Sequence, residues 1–100
     1  MFILYKNNMK EIIEKFKEII INIIDEEDIV EIDEDFIEKD LLNDFGFDSL
    51  NIISLIVEIE EKFNIEFDDD FLEMENMRRP KFIIEYIERK LKNGWNKKNY

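Results

Sequence analysis

One hundred residues, 45% hydrophobic and 40% charged, suffice for one small core and are too apolar for a disordered tail. Two glycines and one proline do not make the many tight turns of an all-β fold. No cysteine and no histidine leave no disulfide, no zinc site built on those residues and no nucleophile–histidine couple, and a net charge of -12 argues against nucleic acid as a partner.

Residues 1–8, MFILYKNN, read as a short apolar flanking tail, too short and too poor in basic residues for a signal peptide. Asn8 is a candidate N-cap for a first helix over residues 9–24. There Ile12, Ile13, Phe16, Ile19, Ile20, Ile23 and Ile24 recur at steps of three and four, which outweighs the strand preference of isoleucine. Residues 25–39, DEEDIVEIDEDFIEK, form a long acidic connector. A connection of this length is expected to pack on the core, with Ile29, Val30, Ile32, Phe36 and Ile37 as anchors. Residues 40–45 predict a helical turn, with Leu41, Leu42 and Phe45 facing inward, which Gly46 breaks.

The next helix is predicted over residues 50–63. Ile52, Leu55, Ile56, Ile59 and Phe63 make its core face, and Leu50, Ile53 and Val57 a second apolar stripe. A helix apolar over so much of its girth is either deeply buried or offers a greasy face to a partner. Asn64 suits a left-handed stop. Residues 65–67 are a short extended link. Asp68, Asp69 and Asp70 then read as the acidic N-terminus of a short helix over residues 71–74. A calcium loop is the lesser reading, because the acids are consecutive and no glycine follows. Pro80 opens a last helix with an inward stripe of Phe82, Ile83, Tyr86, Ile87 and Leu91, stopped by Gly94, and residues 93–100 form a second tail. Tyr5, Tyr86 and Trp95 read as packing residues. The expectation is one domain over 1–100 with its core in 9–92.

Charge is segregated. Residues 1–24 hold four bases against three acids, residues 25–79 four against 21, and residues 80–100 six against two. An acidic middle serves solubility and also steers toward basic partners. No stretch is long enough to span a membrane, so a soluble, cytoplasmic monomer is expected.

Ser49 stands at the start of the most apolar helix, after Gly46, Phe47 and Asp48. Unpaired backbone N–H groups and the positive end of the helix dipole gather there, a place hospitable to a phosphate ester. Taken alone, Asp-Ser before an apolar helix is an ordinary N-cap. Around it, however, stand Asp44-Phe45-Gly46 before, Leu50 after and Glu60-Glu61-Lys62-Phe63 at the helix end. Together with Asn64-Ile65-Glu66-Phe67 and, more weakly, Ile83-Ile84-Glu85-Tyr86-Ile87, these residues resemble the acyl carrier and peptidyl carrier protein family over about residues 9–92.

The resemblance implies an all-α, four-helix bundle with three long helices, one short helix and a long loop between the first two. It implies 4′-phosphopantetheine on Ser49, with Asp48 and Leu50 beside it, installed from coenzyme A by a phosphopantetheinyl transferase. It implies a carrier and not an enzyme, with acyl or aminoacyl thioester cargo passed between activating and condensing enzymes. The family's partner face maps onto Leu50, Ile53 and Val57, with Asp48, Glu60 and Glu61 as surrounding acids.

Departures from the fatty-acid pattern are Asn51 and Ser54 where acids are usual, Phe47 where a small residue is usual, and extra residues before Gly46. Asn51 and Ser54, with Phe47, favour specialised metabolism, of polyketide or nonribosomal-peptide type; the extra residues point to neither. The competing reading is an acidic helical interaction module that is never modified. A serine hydrolase at Ser49 lacks its histidine.

Overall fold

In the computed structural model the backbone is described for residues 2–24 and 34–97, and side chains for 9–24 and 35–92. The described residues are helical, with α1 (Phe2–Ile23), a 3-10 turn (Glu34–Glu38), α2 (Leu41–Phe45), α3 (Ser49–Phe63), α4 (Met74–Met77) and α5 (Pro80–Lys97). They contain no strand, and none of their helices is long and apolar enough to cross a membrane. The all-helical class expected from residue spacing is therefore the class observed. Three long helices form the frame, with α1 packed on both α3 and α5, and α4 and the 3-10 turn packed on α5.

The core follows the helical period. Ile12, Phe16, Ile19 and Ile20 of α1 are buried, as are Leu55 and Ile59 of α3 and Ile83 and Ile87 of α5. From the connector, Phe36 is buried and stacks on Phe16 with ring centroids 6.1 Å apart, while Ile37 is partly buried against the same core. The other expected anchors, Ile29, Val30 and Ile32, lie outside the described residues, as do the side chains of Tyr5 and Trp95.

Four local expectations are corrected. Asn8 is inside α1 and is not its N-cap, because the helix begins at Phe2. No glycine or proline interrupts residues 1–24, and an asparagine within a helix costs less than about 0.7 kcal/mol relative to alanine. Gly94 does not stop α5, which continues to Lys97; a glycine within a helix costs only about 1 kcal/mol.

The short helix is not residues 71–74 but Met74–Met77, with Glu73 at its N-cap position. Residues 68–72 form turns instead, in which Phe71 N–H donates to the Asp68 carbonyl and Leu72 N–H to that of Asp69. An aromatic stack holds those turns on α5. The rings of Phe71 and Tyr86 are 4.0 Å apart, and those of Phe67 and Tyr86 5.3 Å. Asp68 is drawn in as well, accepting from the Tyr86 hydroxyl at 2.7 Å, with Lys90 Nζ 3.2 Å from its carboxylate.

Finally, Phe82 is 41% exposed and does not belong to the inward stripe, where Ile84 takes its place. At 100° per residue Phe82 lies about 140° around α5 from Ile87, and Ile84 only about 60°.

Candidate functional site

The stretch leading into α3 is fixed by a series of short-range caps. Asp40 is the N-cap of α2; its Oδ1 accepts the N–H groups of Leu42 at 2.9 Å and Asn43 at 3.1 Å. Its own N–H donates to Asp44 Oδ2 at 2.8 Å. Two opposed effects act on the Asp40 carboxyl. Burial pushes its pKa up, but hydrogen bonds from the Asn43 and Leu42 N–H groups and from Arg78, with the charge of Arg78, outweigh it and leave the pKa lowered.

The helix ends at Gly46 in the left-handed conformation, φ 69°, whose N–H donates to the Leu41 carbonyl. A Cβ at Gly46 would meet nothing within 4 Å. Glycine is therefore favoured there by the backbone and not by space. Phe47 is buried, and its N–H donates to the same Leu41 carbonyl at 2.9 Å.

Asp48 follows as the N-cap of α3, in a reciprocal box. Its Oδ1 accepts the Asn51 N–H at 2.8 Å, and Asn51 Oδ1 accepts the Asp48 N–H at 2.9 Å. Ser49 is the first residue of the 15-residue α3 and is exposed. Its hydroxyl thus stands at the end of a long helix where the dipole is positive. The fit to a phosphate ester is good: there is open solvent to receive an arm, a rigid turn behind the serine and backbone amides nearby that favour negative charge. Nothing in this arrangement makes Ser49 a catalyst. The adjoining carboxylate of Asp48 already accepts a backbone N–H, and the chain has no histidine.

Along α3 the two faces separate. Ile52, Leu55, Ile59 and Phe63 are buried. Leu50, Ile53 and Val57 are 72%, 56% and 48% exposed, a contiguous apolar strip beginning beside Ser49. At 100° per residue these three, Ser54 and Glu61 fall within about 100° of one another. Glu61 and Ser54 are exposed. Glu60 departs from the group: its Oε2 accepts the Phe67 N–H at 3.0 Å and so ties the chain beyond α3 back to the helix.

Two residues of this region escaped the sequence reading. Asn51 stands where an acid is usual, yet its side chain completes the cap; the Asp-x-x-Asn spacing from Asp48 is the available signal. Arg78 reaches Asp40 from the start of the α4–α5 connection, with Nε 2.9 Å from Oδ2. No local pattern announces a pairing across 38 positions of sequence.

The chain matches, over residues 14–79, the family model described as a phosphopantetheine attachment site. Among curated proteins it is 42% identical over 61 residues to an acyl carrier protein of Desulforapulum autotrophicum, covering 61% of this chain and 77% of that protein. It is 33% identical over 70 residues to an acyl carrier protein of Coprothermobacter proteolyticus, covering 70% of this chain and 83% of that protein. It is 39% identical over 57 residues to an acyl carrier protein of Phytoplasma mali, covering 57% of this chain and 66% of that protein.

Proposed function

Since the chain belongs to the phosphopantetheine-attachment family of acyl carrier proteins, and is thus a carrier with a covalent 4′-phosphopantetheine and not an enzyme, we propose that Ser49 is its attachment residue. The observation that carries this reading is the exposed position of Ser49 at the first residue of α3, behind the Gly46 turn and the Asp48–Asn51 box. Ser49 Oγ is the acceptor of the phosphopantetheinyl group of coenzyme A. The P–O bond to the nucleotide half breaks, and the serine proton passes to a base of the transferase, this chain having no histidine. The bound arm supplies a terminal thiol, which this chain of no cysteines lacks, and holds cargo as a thioester.

The chain's own residues then present and dock. Leu50, Ile53 and Val57 offer apolar contact beside the arm, and Asp48 and Glu61 offer negative charge to basic grooves on the transferase and on acyl-handling enzymes. Glu60 contributes charge from a carboxylate that also holds Phe67. Such contacts are weak and salt-sensitive, as suits a carrier that must leave each partner.

Specialised metabolism is favoured over housekeeping fatty acid synthesis. Ser54 leaves the exposed strip of α3 uncharged between Ile53 and Val57, and Asn51 is spent on the cap, so the first half of the helix meets partners by apolar contact.

Incubation with coenzyme A and a broad-specificity phosphopantetheinyl transferase, followed by intact mass, tests the attachment. A gain of one phosphopantetheine, absent in Ser49→Ala, is expected. No gain, or a gain surviving Ser49→Ala, sinks the proposal and leaves an unmodified interaction module. Charging by acyl-activating against amino-acid-activating enzymes then tests the cargo class.

A further inference from the structure

Only Gly46, Phe47 and Asp48 separate α2 from Ser49, and α2 is gripped from far along the sequence by Arg78. Arg78, at the C-cap of α4, makes two contacts to it. The Arg78 carbonyl accepts the Leu41 N–H at 2.8 Å, and its Nε–H donates to Asp40 Oδ2 at 2.9 Å. The side chains of this pair are 23% and 14% exposed. A short, charge-assisted bond with most water excluded is unlike the freely solvated pairs that contribute almost nothing. The nearby pair of Lys81 and Glu38 makes the contrast, at 3.8 Å and with both side chains more than half exposed.

From Asp40 and Leu41 the constraint runs on to Ser49 through bonds already described. Asp40 caps α2, and the Leu41 carbonyl receives both the Gly46 and the Phe47 N–H groups. Leu41 and Phe47 are buried in the core, and Phe47 adjoins the Asp48 cap. Both ends of the α2 turn are thus referred to the two residues that Arg78 holds. A five-residue helix has little stability of its own, because nucleating a turn is costly and few bonds repay it. Its position must come from such tertiary contacts. A carboxylate is ionised at neutral pH in any case, and the lowered pKa of Asp40 carries the grip further into acid.

We infer that Arg78 is a positioning residue for the modification of Ser49: through Asp40 and Leu41 it holds α2, and so sets the turn from which the Ser49 hydroxyl is presented to the transferase. This inference rests on the reading of Ser49 as the attachment residue. It makes the start of the α4–α5 connection part of the site, with Arg78 acting on Ser49 through Asp40 and Leu41.

Arg78→Gln removes the charge, and Arg78→Lys keeps charge without the guanidinium. Asp40→Asn approaches the same bond from the other side, retaining an oxygen to accept the Leu42 and Asn43 N–H groups. Two readouts are taken on the full chain, kcat/KM for transfer from coenzyme A and amide hydrogen exchange. Arg78→Gln is expected to lower kcat/KM by about fivefold to tenfold, the scale of losing one charge-assisted bond from a positioned site. Exchange at residues 46–48, whose N–H groups are bonded, should quicken by roughly tenfold while core amides of α1 and α5 keep their wild-type rates. Arg78→Lys should recover part of both, and adding Asp40→Asn to Arg78→Gln should change little, as for partners in one interaction.

Wild-type exchange at residues 46–48 in Arg78→Gln overturns the inference. So do exchange raised equally across all helices and additive losses in the double variant. If wild-type protein takes no arm, the attachment reading fails, and the exchange readout still decides whether Arg78 holds the turn.

Discussion

Asp48→Ala tests whether the turn before Ser49 is held by hydrogen bonding. In the native chain Asp48 Oδ1 accepts the Asn51 N–H at 2.8 Å, while Asn51 Oδ1 accepts the Asp48 N–H at 2.9 Å. Alanine abolishes the first bond and leaves the second, since that donor is backbone. Loss of an N-cap acceptor costs about 0.5–2 kcal/mol. Loss of a negative charge at the positive end of a helix costs about 0.3–1 kcal/mol more. Asp48 is exposed, so water replaces part of the lost bond and each figure falls in its lower half, for a total of about 1–1.5 kcal/mol.

The loss cannot stay local. α3 contributes Ile52, Leu55, Ile59 and Phe63 to the core, so fraying it is felt in global unfolding. For a domain of this size 1 kcal/mol moves Tm by about 4–8 °C, giving a fall of roughly 5–10 °C by far-UV circular dichroism. Asp48→Asn keeps the acceptor and loses only the charge, and should fall by less than half as much. An Asp48→Ala protein that melts with wild type would refute the cap. Equal losses in the two variants would show that charge, and not the hydrogen bond, is what Asp48 supplies.

Leu55→Ala, at a fully buried position, should cost about 2–5 kcal/mol in urea titration; a smaller loss would mean that the three long helices close over the gap. Ile53→Ser with Val57→Ser should leave stability within about 0.5 kcal/mol per site, since both are exposed, but should slow charging by partner enzymes; unchanged charging would move the docking face elsewhere. Tyr86→Phe leaves the Asp68 N–H and carboxylate without the hydroxyl they share, at about 1–2 kcal/mol by thermal melting.

Burial foremost raises the Tyr86 pKa above its ordinary 10.0, so its contribution is present below that value and is lost as pH rises through the higher folded pKa. The alkaline decline should be shallower in Tyr86→Phe. Asp40 has the opposite sign. Its lowered pKa contributes stability above its ordinary 3.8, lost as pH falls through the lower folded value, and Asp40→Asn should flatten that acid limb.

Much of this is legible in the sequence alone, where the deciding interactions are local. The faces of α3 follow from 100° per residue, so the spacing of Ile52, Leu55 and Ile59 against Leu50, Ile53 and Val57 already separates core from surface. Gly46 and Asn64 end their helices because their φ of 69° and 55° is one that other residues resist. The place of Ser49 at a helix start follows from the same neighbourhood. Helix lengths at the two ends of the chain were less readable, because a single Asn or Gly penalises a helix by too little to stop it.

What tertiary structure decided is where long-range partners overrule local preference. Asp68, Asp69 and Asp70 look like the acids of a helix N-terminus, yet stacking of Phe67 and Phe71 on Tyr86, 18 residues from Asp68, turns that segment into a loop and moves the helix to Met74. Glu60 looks like one more surface acid until the Phe67 N–H is found on it. Above all, the sequence by itself determined that Ser49 begins a two-faced helix behind a glycine turn. Only the fold decided that the turn is held from Arg78, because that bond joins Asp40 to a residue with no periodic or capping relation to it, and folding alone brings them together.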